Sequence, residues 1–594
     1  MCTYFQPYSC FLGTLMNQAH STFFAILLLG TSSAFAAPES LTPIKHVIVI
    51  VGENRTFDNV FGGYRPKKGQ SVSNLLSRGI IKADGTPGPN FGDAAQRTAE
   101  SRGAFSATPT ITGTYDRLPQ PYAAGAFGQR QDVPDARFPP TMQNGPFQIS
   151  HHVGYGTHTG DPTHRFFQMW QQTNGGKHDL FTWVAQTAGP GPSNASTRLA
   201  PGKTFQGGIA MGFYNMSTGD APYLKYLADT YALADNYHQP IMGGTAANYL
   251  ALATADVAFY TVDGKPGTPP QKQIENPDAQ AGTNNWYTED GYRGGSYVRC
   301  DKLDAPGVAG IRDVLQKLPY RTFNDGNCAA DTYYMVNNLE PAYSATGALL
   351  AFDEGKFILP PLTIPHIGDA LTAGAVSWKW YSGGRNDGIA VDKEYCGMCD
   401  TPTFFTSTMT GPDRHKLQDL QQFYIDVKSA KTLPAVSMIA PYDSISGHPG
   451  YAAETSFDEL VQDIVKRVQS NRALWNETAI FVIFDEGGGF YDSGYIQILD
   501  FFGDGTRMPM LAISPYTKGG RIDHTYYNHA SISKFIERNW KLPPLSTRSR
   551  DNLPNPINDP HNPYVPANRP AIGDLMNMFD FSSVNATKAT SALH

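Results

Sequence analysis

The sequence predicts an α/β fold with a mostly parallel central sheet, and three observations carry that prediction. The apolar run Ile44-Lys45-His46-Val47-Ile48-Val49-Ile50-Val51 stops abruptly at Gly52-Glu53-Asn54. A second run, Ala479-Ile480-Phe481-Val482-Ile483-Phe484, passes straight into Asp485-Glu486-Gly487-Gly488-Gly489. Continuous apolar, β-branched runs of this length read as strands buried on both faces, the condition of a parallel sheet. Between Leu433 and Phe484 the order strand, helix, strand implies a right-handed crossover, so these strands open on one edge. Ligands of open α/β sheets bind at the carboxyl ends of the strands. Glu53, Asn54, Asp485 and Glu486 are delivered there, and the simplest function of such a cluster is to hold a metal ion.

The elements follow in order. Residues 1–36 read as an export signal: Phe23-Phe24-Ala25-Ile26-Leu27-Leu28-Leu29 precedes the small-x-small pattern Ala34-Phe35-Ala36, although no Lys or Arg precedes the apolar stretch. This predicts a periplasmic or secreted protein. Residues 65–150 carry little periodicity and read as an insertion. Asp161-Pro162-Thr163-His164 predicts a Pro-led helix start, capped by Asp161, with His164 in its first turn. A helix is expected over 223–231 and a short strand over 232–238. Gly243-Gly244 then lead into an Ala- and Leu-rich helix over 246–254, which places the Thr245 hydroxyl where free amides and the helix dipole attract an anion.

A second irregular insertion is expected near 260–345. Leu433–Ile439 reads as a core strand, ending near the loop Ser446-Gly447-His448-Pro449-Gly450. Ser456-Phe457-Asp458-Glu459 predicts a capping box for the helix that carries Leu460, Ile464, Val465 and Val468 on one face. Met508–Ser514 is a further strand and Ala530–Trp540 a helix, preceded by His524 and His529. One large domain over 37–545 is expected, followed by a surface tail over 546–594.

Composition narrows the function. A net charge of -7 without a basic stretch argues against nucleic acid as a partner, because backbone binding needs clustered Lys and Arg. With 58 Gly and 44 Pro in 594 residues, much of the chain is expected in ordered loops, where function usually resides. No stretch beyond the leader is apolar enough for a membrane span. Removing the leader leaves Cys300, Cys328, Cys396 and Cys399, for which two disulfides, Cys300 with Cys328 and Cys396 with Cys399, are favoured over a zinc site. The triple glycine lacks the following Lys and Ser of a nucleotide loop, and it reads as a tight turn beside the metal.

Six segments in this order, Ile44 to Asp58, Asp161-Pro162-Thr163-His164-Arg165-Phe166, Met211-Gly212-Phe213-Tyr214, Gly243-Gly244-Thr245, His448-Pro449-Gly450 and Asp485-Glu486-Gly487-Gly488-Gly489-Phe490, resemble the bacterial phosphoesterase family that joins phospholipases C to acid phosphatases. Asp492-Ser493-Gly494-Tyr495 and Asp504-Gly505-Thr506-Arg507 are more similar to its acid phosphatase branch. The resemblance implies an alkaline-phosphatase-like three-layer α/β/α sandwich and phosphoric ester hydrolysis through a phospho-enzyme. Carried over position by position, it implies a divalent metal ion, of open identity and number, on Glu53, Asn54, Asp485 and Glu486. It further implies Thr245 as the nucleophile, with His164 and His448 on the phosphoryl oxygens or the leaving group. Asn248, His524 and His529 complete the expected set as substrate-binding residues.

The expected substrate is a small phosphate ester, cleaved as by an acid phosphatase, with a phospholipid cleaved as by a phospholipase C as the alternative. A secreted binding protein with a dead centre is the alternative of another class. The oligomeric state stays open. One segment departs from the family pattern: where acid phosphatases often carry adjacent histidines, this chain has Tyr395-Cys396-Gly397-Met398-Cys399-Asp400-Thr401-Pro402.

Overall fold

Eight strands form the central sheet: β1 (His46–Gly52), β2 (Ala232–Ala234), β3 (Trp378–Ser382), β4 (Leu417–Asp419), β5 (Val436–Ala440), β6 (Thr478–Phe484), β7 (Met510–Ile513) and β8 (Arg521–Asp523). The computed structural model describes residues 39–100, 103–121, 134–187, 207–278, 295–351, 357–386, 391–517 and 519–582. The export signal expected over 1–36 lies outside them. Pro38–His594 clusters as one compact unit.

The strands lie in the order β4-β3-β5-β1-β6-β7-β2-β8. Only β7 runs against the others. Every residue of β1 and β6 is buried, as the unbroken apolar runs require. Strands buried on both faces need a cover on each. Two groups of helices supply it. Helix α3 (Pro222–Thr230) packs with α6 (Glu454–Ser470) against β2, β7 and β6, while α4 (Thr245–Thr254) packs with α7 (Ala530–Trp540) and α5 (Ile367–Ala373), the last on β3.

Register fixes the site. Val47 to Ile50 pair with Val436 to Ile439, and His46 to Gly52 pair in parallel with Thr478 to Phe484, so Gly52 lies beside Phe484. The residues that follow, Glu53-Asn54 and Asp485-Glu486, therefore leave the same sheet edge side by side. The ladder continues past the strands, with Asp485 N donating to Gly52 O at 3.0 Å and Arg55 N to Glu486 O at 3.0 Å.

Three sequence expectations are corrected. Helix α6 begins at Glu454 with Ala453 before it and no side-chain cap, so Ser456 does not form the expected capping box. Its start is set instead by the buried Glu454 carboxylate, which faces Arg55 Nε at 2.8 Å and suits the positive end of the helix dipole. Helix α2 (Phe166–Thr173) begins four residues later than expected, so Asp161 does not cap it and His164 precedes its first turn. Phe166 N donates to Asn337 Oδ1 at 2.9 Å, a cap supplied by the second insertion. The third correction concerns the tail, which is more than a surface wrap: Ile572, Leu575 and Met578 enter the main core. Arg550 meets buried Asp500 at 2.6 Å and Arg548 meets Asp256 at 2.5 Å, so the tail neutralises two interior carboxylates.

Both favoured disulfides are present, Cys300–Cys328 and Cys396–Cys399.

Candidate active site

Asn54 carries the sharpest local demand. Directly after β1 the chain turns with Asn54 at φ +64, a left-handed conformation that Asn tolerates better than most residues. The turn aims Asn54 N at Asp485 Oδ1, at 3.1 Å. Gly488 is forced by the same turn: at φ +59, a Cβ there would meet the Asn54 carbonyl oxygen at 2.7 Å. The glycine run thus permits close approach of two backbones beside the carboxylates. Arg55, fully buried, donates to Gly447 O at 3.0 Å and so links the β1 loop to the loop that carries His448.

Thr245 is the first residue of α4, with Gly244 at its N-cap. Its hydroxyl donates to Glu486 Oε1 at 3.3 Å and also acts on the Asp485 carboxyl. Gly243 and Gly244 let the chain press against the second insertion, since added Cβ atoms would meet Val336 O at 1.8 Å and Asn338 Oδ1 at 2.5 Å. Asn338 Oδ1 accepts from Ala246 N at 2.9 Å, so the insertion positions the start of the helix.

Both expected histidines reach the same place. His164 directs Nδ1 at Pro162 O, 2.6 Å away, and its Nε2 lies 3.8 Å from Glu486 Oε1. His448 directs Nδ1 at Pro449 O, while its Nε2 lies 2.7 Å from Asn54 Nδ2 and 4.0 Å from Glu53 Oε2. Donation from each Nδ1 to a backbone carbonyl leaves a lone pair on each Nε2. Burial keeps both rings neutral, lowering His164 to about 4 and His448 to about 3.

The carboxylates respond in the opposite sense. Burial, reinforced by Asp485 and Asp443, raises Glu53 well above its ordinary range. Burial pushes Asp485 up to about 7, and Glu486 is raised well above normal by burial and then by Asp485. Such crowding of buried acids is unfavourable unless protons or a cation neutralise it. Asn54 Oδ1, Asp485 Oδ2 and Glu486 Oε2 are buried acceptors without hydrogen-bond partners. A set of carboxylates and one amide oxygen fits a hard or borderline divalent cation.

The remaining expected residues meet protein groups. The Asn248 amide accepts from Ile241 N at 3.0 Å and donates to Gly243 O and Gly244 O at 2.9 and 3.1 Å, which ties the turn before Thr245. His529 lies between Asp485 O at 2.9 Å and the Tyr237 hydroxyl at 2.8 Å, holding the backbone of Asp485. His524 pairs with Asp235 at 2.7 Å and with Ser71 at 3.2 Å.

Sequence reasoning missed Asp161 and Tyr451. Donor atoms of Asp161, His164 and His448 all lie within 4.8 Å of one another, and Tyr451 stacks on the His448 ring at 4.2 Å. Asp161 was masked by its resemblance to a helix cap. Tyr451 carries no spacing signal.

The two motifs that resembled the acid phosphatase branch are structural. Asp492 meets Arg507 at 2.9 and 3.0 Å, with Asp58 at 3.4 Å, and Asp504 accepts from Asn528 at 2.9 Å.

A mostly parallel sheet thus brings a helix-start hydroxyl, three carboxyl groups with one amide, and two histidines together at one edge. The chain belongs to the Phosphoesterase family, whose model matches residues 44–543. It is 23% identical to a non-hemolytic phospholipase C of Burkholderia pseudomallei, over 92% of this chain and 60% of that protein. Phospholipase C B of Mycobacterium tuberculosis is 22% identical over 92% of this chain and 79% of its own length. The chain thus spans less than two thirds of the Burkholderia relative. Among solved structures, a protein in the alkaline phosphatase superfamily from Vibrio parahaemolyticus matches 54% of this chain and 60% of its own, at 11% identity and a TM-score of 0.24.

Proposed function

We propose that this chain hydrolyses phosphoric esters with Thr245 as the nucleophile and a divalent cation on Glu53, Asn54, Asp485 and Glu486. One observation carries the reading: the Thr245 hydroxyl lies 3.3 Å from Glu486 Oε1, among buried oxygens that have no other partner. When bound, the cation supplies charge neutralisation at the phosphoryl oxygens and lowers the pKa of the hydroxyl.

The chain's own residues do the rest. Thr245 Oγ1 attacks phosphorus, and Glu486 Oε1, its hydrogen-bond partner, is an acceptor for its proton. The positive end of the α4 dipole, where Ala246 N is taken by Asn338 Oδ1, favours the phosphoryl group. His164, with Nδ1 fixed on a backbone carbonyl, presents Nε2 to the phosphoryl oxygens or the leaving alcohol, and His448, whose Nε2 accepts from Asn54 Nδ2, can do so once that contact opens. A phosphate dianion opposes the burial that keeps the His164 ring neutral, so its arrival favours Nε2 protonation and donation to the departing oxygen. Water then attacks the phospho-threonine from the face the alcohol has left.

The substrate is the finer question. The names of the relatives favour a phospholipid head-group ester, as for a phospholipase C. The two motifs that pointed to phosphomonoesters carry little weight, because their side chains are engaged in buried ion pairs. A panel of p-nitrophenyl phosphate, a phosphorylcholine ester and phosphatidylcholine, assayed with and without chelator, tests the reading. Chelator-sensitive turnover of at least one is expected, and turnover of none by metal-replete protein would refute it.

A further inference from the structure

The disulfide Cys396–Cys399 lies against the proposed metal ligand Glu53. Cys399 Sγ is 3.3 Å from Glu53 Oε1, and one donor atom from each of Glu53, Cys396 and Cys399 lies within 4.8 Å of the others. As a disulfide sulfur, Cys399 has no proton to give, so this is a sulfur–carboxylate contact. The loop is held firmly. Asp400 is paired with buried Arg385 and accepts from the Tyr395 hydroxyl at 2.6 Å, and Cys399 N donates to Cys396 Sγ at 3.2 Å.

We propose that Cys396 and Cys399 form a redox-controlled ligand pair which, once opened, joins Glu53 in binding a thiophilic divalent ion such as Zn²⁺ or Cd²⁺. Two cysteines separated by two residues are a standard chelating spacing for such ions, and their Cα atoms here are 5.3 Å apart. Thiolates select softer ions than the oxygen cluster does. A further carboxyl stands beside the loop, because Glu340 Oε2 lies 2.6 Å from where a Cβ on Gly397 would stand.

Chemistry and access agree on the direction of opening. Cys396 is partly exposed whereas Cys399 is 1% exposed, so an external dithiol reaches Cys396 and Cys399 leaves. Two electrons and two protons pass from the dithiol to the pair; the dithiol closes to its own disulfide and the protein gains two thiols. Binding the ion releases those two protons to solvent and forms two metal–sulfur bonds. Glu53 is thereby shared between an oxygen site and a sulfur pair, so reduction shifts the centre towards softer metals. This inference rests on the reading of Glu53 as a metal ligand, and the test separates the two.

Full-length protein is stripped with chelator, divided into untreated and dithiol-treated, desalted portions, and titrated with Cd²⁺ or with Mn²⁺. Differential alkylation with mass spectrometry records which disulfide has opened. The expected result is an ultraviolet thiolate-to-cadmium band only after Cys396–Cys399 opens, with Cd²⁺ affinity raised about tenfold or more and Mn²⁺ affinity little changed. The double variant Cys396→Ser/Cys399→Ser should abolish the band, and Glu53→Gln should weaken Cd²⁺ binding. Absence of the band from reduced protein, or its persistence in Cys396→Ser/Cys399→Ser, would overturn the inference. Formation of the band in a protein that takes up no Mn²⁺ in either state would support the sulfur site and refute the oxygen cluster.

Discussion

At the scale of single residues, the site is a set of groups held in protonation states that water would not give them. Thr245→Ala removes the hydroxyl that meets Glu486 and leaves every proposed ligand in place. Its kcat should fall by about 10³-fold or more while metal content, read by elemental analysis, stays at the wild-type level. The carboxylates predict a pH dependence. Asp485 is raised from 3.8 to about 7, so metal-free protein holds a proton there at mildly acid pH, and a cation must displace it. Cation affinity, measured by calorimetry, should therefore rise between about pH 4 and pH 7. Stability runs the other way: a carboxyl raised in the fold contributes stability below its unfolded value that is lost as pH climbs through its folded value. Buried, neutral His164 and His448 act in the opposite sense below about pH 6.5, so the Asp485 contribution is read as the Tm difference between metal-free wild type and Asp485→Asn, which should fall from about pH 4 to about pH 7. A difference that rises over this window would contradict the assignment of a raised, buried Asp485.

At the scale of elements, the precision of the site comes from two parallel strands and the glycine-bearing turns beyond them. Gly488→Ala forces a side chain into a left-handed position and onto the Asn54 carbonyl, a combination that should cost about 1–3 kcal/mol in denaturant unfolding and lower metal affinity together with activity. Both strands were legible because β1 and β6 are buried on both faces, so their apolar runs admit no other reading. The convergence of the proposed ligands was legible for the same reason: a strand that ends in Glu53-Asn54 or Asp485-Glu486 has only one edge at which to place them. What failed was capping. Ser456 and Asp161 have cap chemistry, but buried tertiary partners, Arg55 with Glu454 and Asn337 with Phe166, set those helix starts instead. The protein partners of His524, His529 and Asn248 were not legible, because proximity in sequence to a helix start says nothing of which carbonyl or carboxylate a side chain will meet. The sulfur–carboxylate contact at Glu53 joins positions 346 apart in the chain and had no sequence signal.

At the scale of the whole molecule, insertions and tail act as scaffolding for the sheet edge. The second insertion supplies Asn337 and Asn338 to the starts of α2 and α4, while the tail supplies Arg548 and Arg550 to interior acids and Ile572 to the core. Ile572→Ala should destabilise the protein by about 2–5 kcal/mol, read by denaturant unfolding, although it lies in the segment expected to be surface. Among the described residues no helix is long and apolar enough to cross a membrane. The central claim is that Thr245 takes the phosphoryl group, and the most direct test is acid quenching of the metal-replete protein during turnover of a phosphorus-labelled ester, followed by peptide mass spectrometry. The account predicts a phosphate on Thr245, lost in Thr245→Ala and absent after chelation; rapid turnover with no label on Thr245, or with label on another residue, would contradict it.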